Sequence, residues 1–105
     1  MSRRAGPPRE RRLLSAAEVE QQLAELPGWT LRDGRLRREL TFDRFEQAWG
    51  FMTSLAIVAQ AMDHHPAFEN VYTKVALELW THDLGGLSSW DFELAAEAER
   101  LLPKR

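Results

Sequence analysis

The only side chains of this chain that titrate near neutral pH without help are His64, His65 and His82, and all three fall between positions 64 and 82. With no cysteine anywhere, a thiol nucleophile, a thiolate zinc site, an iron–sulfur cluster and a disulfide framework are excluded. Ser54, Ser88 and Ser89 fall in helical or cap positions with no base at a telling spacing, so a serine nucleophile has no support. Gly85-Gly86 matches no phosphate-binding fingerprint. Two chemistries remain for the histidines. A tri-histidine metal centre is one, but metal-binding pairs normally stand at i, i+2 on a strand or i, i+4 on a helix, whereas adjacent rings diverge. The spacing therefore favours the other, metal-free general acid–base catalysis, in which an imidazolium gives a proton to a leaving group and a neutral imidazole takes one from the substrate.

The elements that must position these rings can be read from caps and periodicity. Ser15 with Glu18 has the form of a capping box, and Val19, Leu23 and Leu26 follow at helical spacing until Pro27-Gly28 ends a first helix. Trp29 to Arg32, the turn pair Asp33-Gly34 and Arg35 to Phe42 read as a β-hairpin. From an N-cap at Asp43, a second helix carries an apolar stripe of Phe45, Trp49, Met52, Ala56 and Ala59, widened by Phe51, Leu55, Val58 and Met62. That face is broader than one small sheet requires, which fits either a deep core position or a contact with a second subunit.

Pro66 disfavours the α region for His65, so the second helix stops near His64 and the histidine pair sits at its C-terminus. There the helix dipole favours cationic imidazole while burial opposes it. Val71-Tyr72 and Lys74 to Thr81 read as two more strands, with Val75, Leu77 and Leu79 on one face and Ala76, Glu78, Trp80 and His82 on the other. A hairpin closing around Thr73 returns His82 towards His64 and His65, so that the three imidazoles can share a pocket. Asp83 to Gly86 is a loop, Ser88 an N-cap, and Trp90, Leu94, Ala98 and Leu101 form the stripe of a last helix that Pro103 ends. The order helix, two strands, helix, two strands, helix predicts an α+β fold of two layers: a four-stranded antiparallel sheet with three helices on one face.

At 105 residues, 44% hydrophobic and 29% charged, the chain has the size and composition of one globular domain. Its net charge of −2 is unevenly spread: residues 1–12 hold five arginines against Glu10, a balance of +4 that leaves −6 on the remainder. Gly6, Pro7 and Pro8 and the lack of apolar periodicity make residues 1–12 read as a mobile basic arm ahead of a single domain over 13–105. The arm has no aromatic residues for stacking and joins an acidic domain, so nucleic-acid binding gains no support. No apolar run reaches membrane-span or signal-peptide length, and a cytoplasmic, membrane-free protein is expected.

Asp63-His64-His65-Pro66, then Asn70-Val71-Tyr72-Thr73-Lys74-Val75, then Thr81-His82-Asp83-Leu84-Gly85-Gly86-Leu87-Ser88 with Asp91, together resemble the pterin-4a-carbinolamine dehydratase family. The likeness in element order covers roughly residues 13–102, and residues 63–91 carry the diagnostic identities. The resemblance implies the sheet-and-helices fold read above, assembled as a homodimer or homotetramer. It also implies dehydration of 4a-hydroxytetrahydropterin, left by aromatic amino-acid hydroxylases, to quinonoid dihydropterin, with no metal or organic cofactor. On the family's pattern His64, His65 and His82 are the catalytic imidazoles, and Pro66, Thr81, Asp83 and Leu84 line the pterin site. His64 and His65 would divide the acid and base roles while His82 orients or protonates the departing hydroxyl.

Two positions depart from that pattern. Gln60 stands where many members carry glutamate, and can hydrogen-bond without supplying negative charge. Trp80 replaces a small residue two before the last histidine, where strand alternation would place it on the face of His82. The fold also serves non-catalytic binding proteins, among them a transcriptional coactivator and an assembly factor for the carbon-fixing carboxylase. The complete histidine set favours the enzyme; Trp80, Gln60 and the wide apolar helix face suit a binding role.

Overall fold

The computed structural model describes residues 11–103, so most of the predicted basic arm lies outside the described residues. Helix α1 spans Ala16–Leu23, capped as its sequence implies: the Glu18 amide donates to Ser15 Oγ at 3.1 Å and the Ser15 amide to Glu18 Oε1 at 2.8 Å. The Arg12 guanidinium, with help from the Ser15 amide, holds the Glu18 carboxyl down to about 2.

Strands β1 (Trp29–Arg32) and β2 (Arg35–Thr41) form an antiparallel hairpin. Its turn residues Asp33 and Gly34 both have positive φ, the backbone twist that a two-residue hairpin loop requires. Just ahead of β1, Gly28 has φ +92°, and a Cβ there would run into the Arg38 guanidinium, itself bonded to Glu99 at 2.9 Å. Gly28→Ala is therefore expected to lower stability by about 1–3 kcal/mol in a urea melt, through backbone strain and a displaced Arg38. A melt matching the wild type would show that the turn relaxes without loss.

Helix α2 (Phe45–Met62) begins at Arg44, one residue beyond the expected cap; the Gln47 side chain accepts from the Arg44 amide at 3.0 Å. Strand β3 spans Ala67–Val71 and β4 Lys74–Leu79, joined through Tyr72-Thr73. β3 thus starts four residues before the expected Val71, a stretch without apolar alternation that pairs with β4 as an edge strand. The sheet order β1-β2-β4-β3 is antiparallel throughout. A one-turn 3₁₀ helix follows at His82–Leu84, then α3 over Ser89–Arg100. The architecture is the predicted one, a four-stranded antiparallel sheet with three helices.

Leu36, Val75, Leu77 and Leu79 of the sheet meet Phe51, Leu55 and Val58 of α2 and Phe92, Leu94 and Ala98 of α3 in the core, with Val19 and Leu23 of α1 packed against it. The core stripe of α2 differs from the expected one. Ala48, Phe51, Met52, Leu55, Val58, Ala59 and Met62 are buried, whereas Phe45, Trp49 and Ala56 are exposed, Trp49 by 51%. The helix is apolar around most of its circumference, so spacing alone does not select the inward face. The opposite face of the sheet is polar, built from Arg35, Arg37, Glu39 and Glu78.

Candidate active site

The α2 helix ends on Asp63, which takes a left-handed conformation (φ 55°), and the His64 amide closes back on the Ala59 carbonyl at 3.0 Å. Aspartate tolerates this geometry better than most side chains, and a left-handed residue after the last helical turn redirects the chain abruptly. The two histidines consequently part company, as adjacent rings must. His64 turns into the protein and is 7% exposed, while His65 stays at the surface with its Nε2 3.0 Å from Gln60 Oε1.

His64 Nε2 lies 2.6 Å from Asp91 Oδ1. Asp91 is the third residue of α3 and is fully buried. Its other oxygen accepts the Ser88 amide at 2.9 Å, completing the cap of α3, and the Thr81 hydroxyl at 2.8 Å. Thr81 and Ser88 hydroxyls are themselves 2.6 Å apart. A carboxylate can only accept, so in the neutral ring Nε2 carries the proton and Nδ1 the lone pair. Asp91 engages Nε2, which leaves Nδ1 as the nitrogen through which the ring can exchange a proton. The arrangement fixes one tautomer of His64, holds the ring, and can stabilise an imidazolium when one forms. The indole of Trp90 meets the imidazole edge-on, with centroids 5.7 Å apart.

The other predicted residues lie just after His65, at the end of β4 and in the turn that follows it. β4 ends at Leu79, so His82 does not continue the strand beside Trp80; it is exposed and opens the 3₁₀ turn. Thr81, which does keep the alternation, points inward and bonds the Asp91 carboxylate. Asp83 is exposed and paired with Arg11 at 2.9 Å, Leu84 is half-buried in the same turn, and Pro66 is half-buried ahead of β3. Because β3 and β4 pair with Ala67 opposite Glu78, the hairpin returns residue 81 to the level of residue 64, where Asp91 bonds both. Among the described residues no three His, Asp or Glu side chains are grouped as metal ligands.

Trp80 is half-buried, and the Arg35 guanidinium covers its ring at 3.8 Å. Arg35 and Arg37 both bond Glu78 beside it; burial pushes that carboxyl up, but the two guanidinium hydrogen bonds outweigh it and hold it below its ordinary value. Two supporting residues gave little sign of their part in the sequence. Asp91 enters the sequence reading only as a member of the family-like motif with no role assigned, and Arg11 only as one arginine of a basic run.

Residues 12–101 match the family profile of the pterin 4 alpha carbinolamine dehydratases. A protein of Prochlorococcus marinus (strain MIT 9303), provisionally named a pterin-4-alpha-carbinolamine dehydratase, is 50% identical over 91 residues, covering 87% of this chain and 95% of its own. A protein of Solibacter usitatus (strain Ellin6076) with the same provisional name is 46% identical over 84% of this chain and 93% of its own. The crystal structure of a transcriptional coactivator/pterin dehydratase from Brucella melitensis superimposes with a TM-score of 0.85 at 31% identity, over 88% of this chain and all of that one. A match along almost the whole domain, in sequence and in fold alike, makes this chain a member of the pterin-4a-carbinolamine dehydratase family.

Proposed function

We propose that the protein catalyses dehydration of a 4a-hydroxytetrahydropterin to quinonoid dihydropterin and water, by histidine acid–base catalysis without a cofactor. The reaction removes the proton on N5 and the hydroxyl on C4a; the N5 electron pair forms the C=N bond as the C4a–O bond breaks, and the hydroxyl leaves as water once protonated. One base and one acid are enough. The observation that carries this reading is the buried His64–Asp91 pair, which holds the imidazole in one orientation and one neutral tautomer. His64 and His65 share the proton transfers, with Gln60 orienting the His65 ring, and His82 serves the departing hydroxyl from its exposed turn. Pro66, Asp83 and Leu84 border the pterin, and Thr81 supports the site through Asp91.

Stopped-flow measurement of 4a-hydroxytetrahydropterin dehydration tests it, with the spontaneous rate as reference. Acceleration at micromolar protein is expected; its absence would transfer the protein to a second reading, a binding module of the same fold acting as coactivator or assembly factor. That second reading draws on the exposed Phe45, Trp49 and Tyr72, a surface aromatic cluster in which Phe45 meets both other rings. The same cluster suits a homo-oligomer, dimeric or tetrameric.

A further inference from the structure

Arg11 and Arg12 are the described end of the basic arm, and each holds a carboxylate: Asp83 for Arg11 and Glu18 for Arg12. The path of the chain through this region is fixed by main-chain pairing. Leu13 forms an antiparallel bridge with Ser88, the Leu14 amide donates to the Leu87 carbonyl at 2.9 Å, and the Leu13 side chain lies so close over Gly86 that a Cβ there would stand 2.7 Å from it. From this anchored segment Arg11 reaches in two directions. Its guanidinium lies 4.2 Å from the centroid of the Trp90 ring, and its Nη1 bonds Asp83 Oδ2 at 2.9 Å. Trp90 is the ring that meets His64 edge-on, and Asp83 is the middle residue of the turn that His82 opens.

One side chain therefore links the exposed turn carrying His82 to the indole packed on His64. Within the turn, the Leu84 amide bonds the Thr81 carbonyl at 3.1 Å, and the Gly85 amide bonds the carbonyls of Thr81 and His82, both at 3.1 Å. A single 3₁₀ turn is weakly stable by itself, and the first two residues of this one, His82 and Asp83, are both exposed. We propose that Arg11 is a positioning residue: stacked on Trp90 and paired with Asp83, it pins the His82–Leu84 turn and so sets where His82 stands relative to His64. Its bearing on turnover rests on the dehydratase reading above; its hold on the turn does not. Arginine suits the task because its planar fork stacks on an indole while bonding a carboxylate, which the compact ammonium of lysine does less well.

The test compares Arg11→Gln, Arg11→Lys, Asp83→Asn and the double variant R11Q/D83N with the wild type. Hydrogen exchange at the Leu84 and Gly85 amides reports the turn, with the core amides of Leu77 and Leu94 as internal reference. R11Q is expected to speed exchange at the turn about fivefold and leave the core unchanged, since a partly exposed ion pair and a surface cation–π contact together contribute about 1 kcal/mol. On the same grounds kcat for pterin dehydration is expected to fall, by at most about fivefold, with little change in KM. R11K is expected to recover part of both effects, and the double variant to exchange at the turn no faster than R11Q. Unchanged exchange at Leu84 and Gly85 in R11Q overturns the proposal whatever the kinetics. Faster exchange with an unchanged kcat overturns the positioning role and leaves a purely structural contact. A wild type that does not accelerate dehydration defeats the functional reading instead, and the exchange rates alone then decide whether Arg11 holds the turn.

Discussion

Asp91→Asn is expected to leave a folded domain whose rate of pterin dehydration is lower by about 10²- to 10⁴-fold, the range for losing a correctly prepared acid–base group. Three donors converge on this carboxylate: the Ser88 amide, the Thr81 hydroxyl and His64 Nε2. An asparagine has one acceptor oxygen in place of two. If that oxygen faces Ser88 and Thr81, the amide nitrogen faces His64 and the ring must accept through Nε2, which moves its proton to Nδ1. The Nδ1 lone pair through which His64 would act as a base is then gone. If the oxygen faces His64 instead, the Ser88 amide loses its acceptor and the capping box of α3 keeps only its Ser88 hydroxyl half, at a cost of about 1–3 kcal/mol for an unsatisfied buried group. Stopped-flow rates and thermal melts on the same preparation separate the two orientations. Wild-type turnover in a folded Asp91→Asn protein would remove the buried pair from the mechanism.

The double duty of Asp91 also explains how much of this protein is legible from its residues. Local signals with a single physical meaning survive into the structure unchanged: the Ser15-Glu18 box, the Asp33-Gly34 turn with both φ positive, and the halt imposed by Pro66 on the helix before it. Features that depend on what lies across a gap do not. Nothing local distinguishes Trp49, which is exposed, from Phe51, which is buried, because both sit on a helix that is apolar on nearly every side. His82 continues the alternation of β4 on paper, but the strand gives way to a 3₁₀ turn whose Gly85 takes φ 69°. The partner of His64 is 27 residues away and reads locally as an ordinary helix cap. The capping role holds Asp91 at the start of α3, and the β3–β4 register brings position 81 level with position 64, so the carboxylate is shared as a consequence of two separate local rules.

Substituting the three histidines one at a time and together yields the second large effect, and the environment of each ring predicts a different pattern. The triple variant H64A/H65A/H82A is expected to return dehydration to its spontaneous rate, because no other side chain of the site titrates near neutrality without a large perturbation. His64→Gln is the informative single change. Its amide can still donate to Asp91, so the buried carboxylate keeps a partner and the fold is expected to hold, while the Nδ1 lone pair that would exchange a proton is lost. His65→Ala and His82→Ala remove exposed rings, so their melts should stay within about 0.5 kcal/mol of the wild type. Any loss of rate in those two is then a loss of chemistry rather than of structure. If dehydration proceeds through these groups, His64→Gln and at least one of the exposed-ring variants lose about 10²-fold or more, one as base and the other as acid. The single losses should multiply to more than the triple variant shows, because an acid and a base that act in one step fail as a unit. A triple variant with wild-type turnover would mean that the reaction, if it occurs, is carried by a different face of the protein.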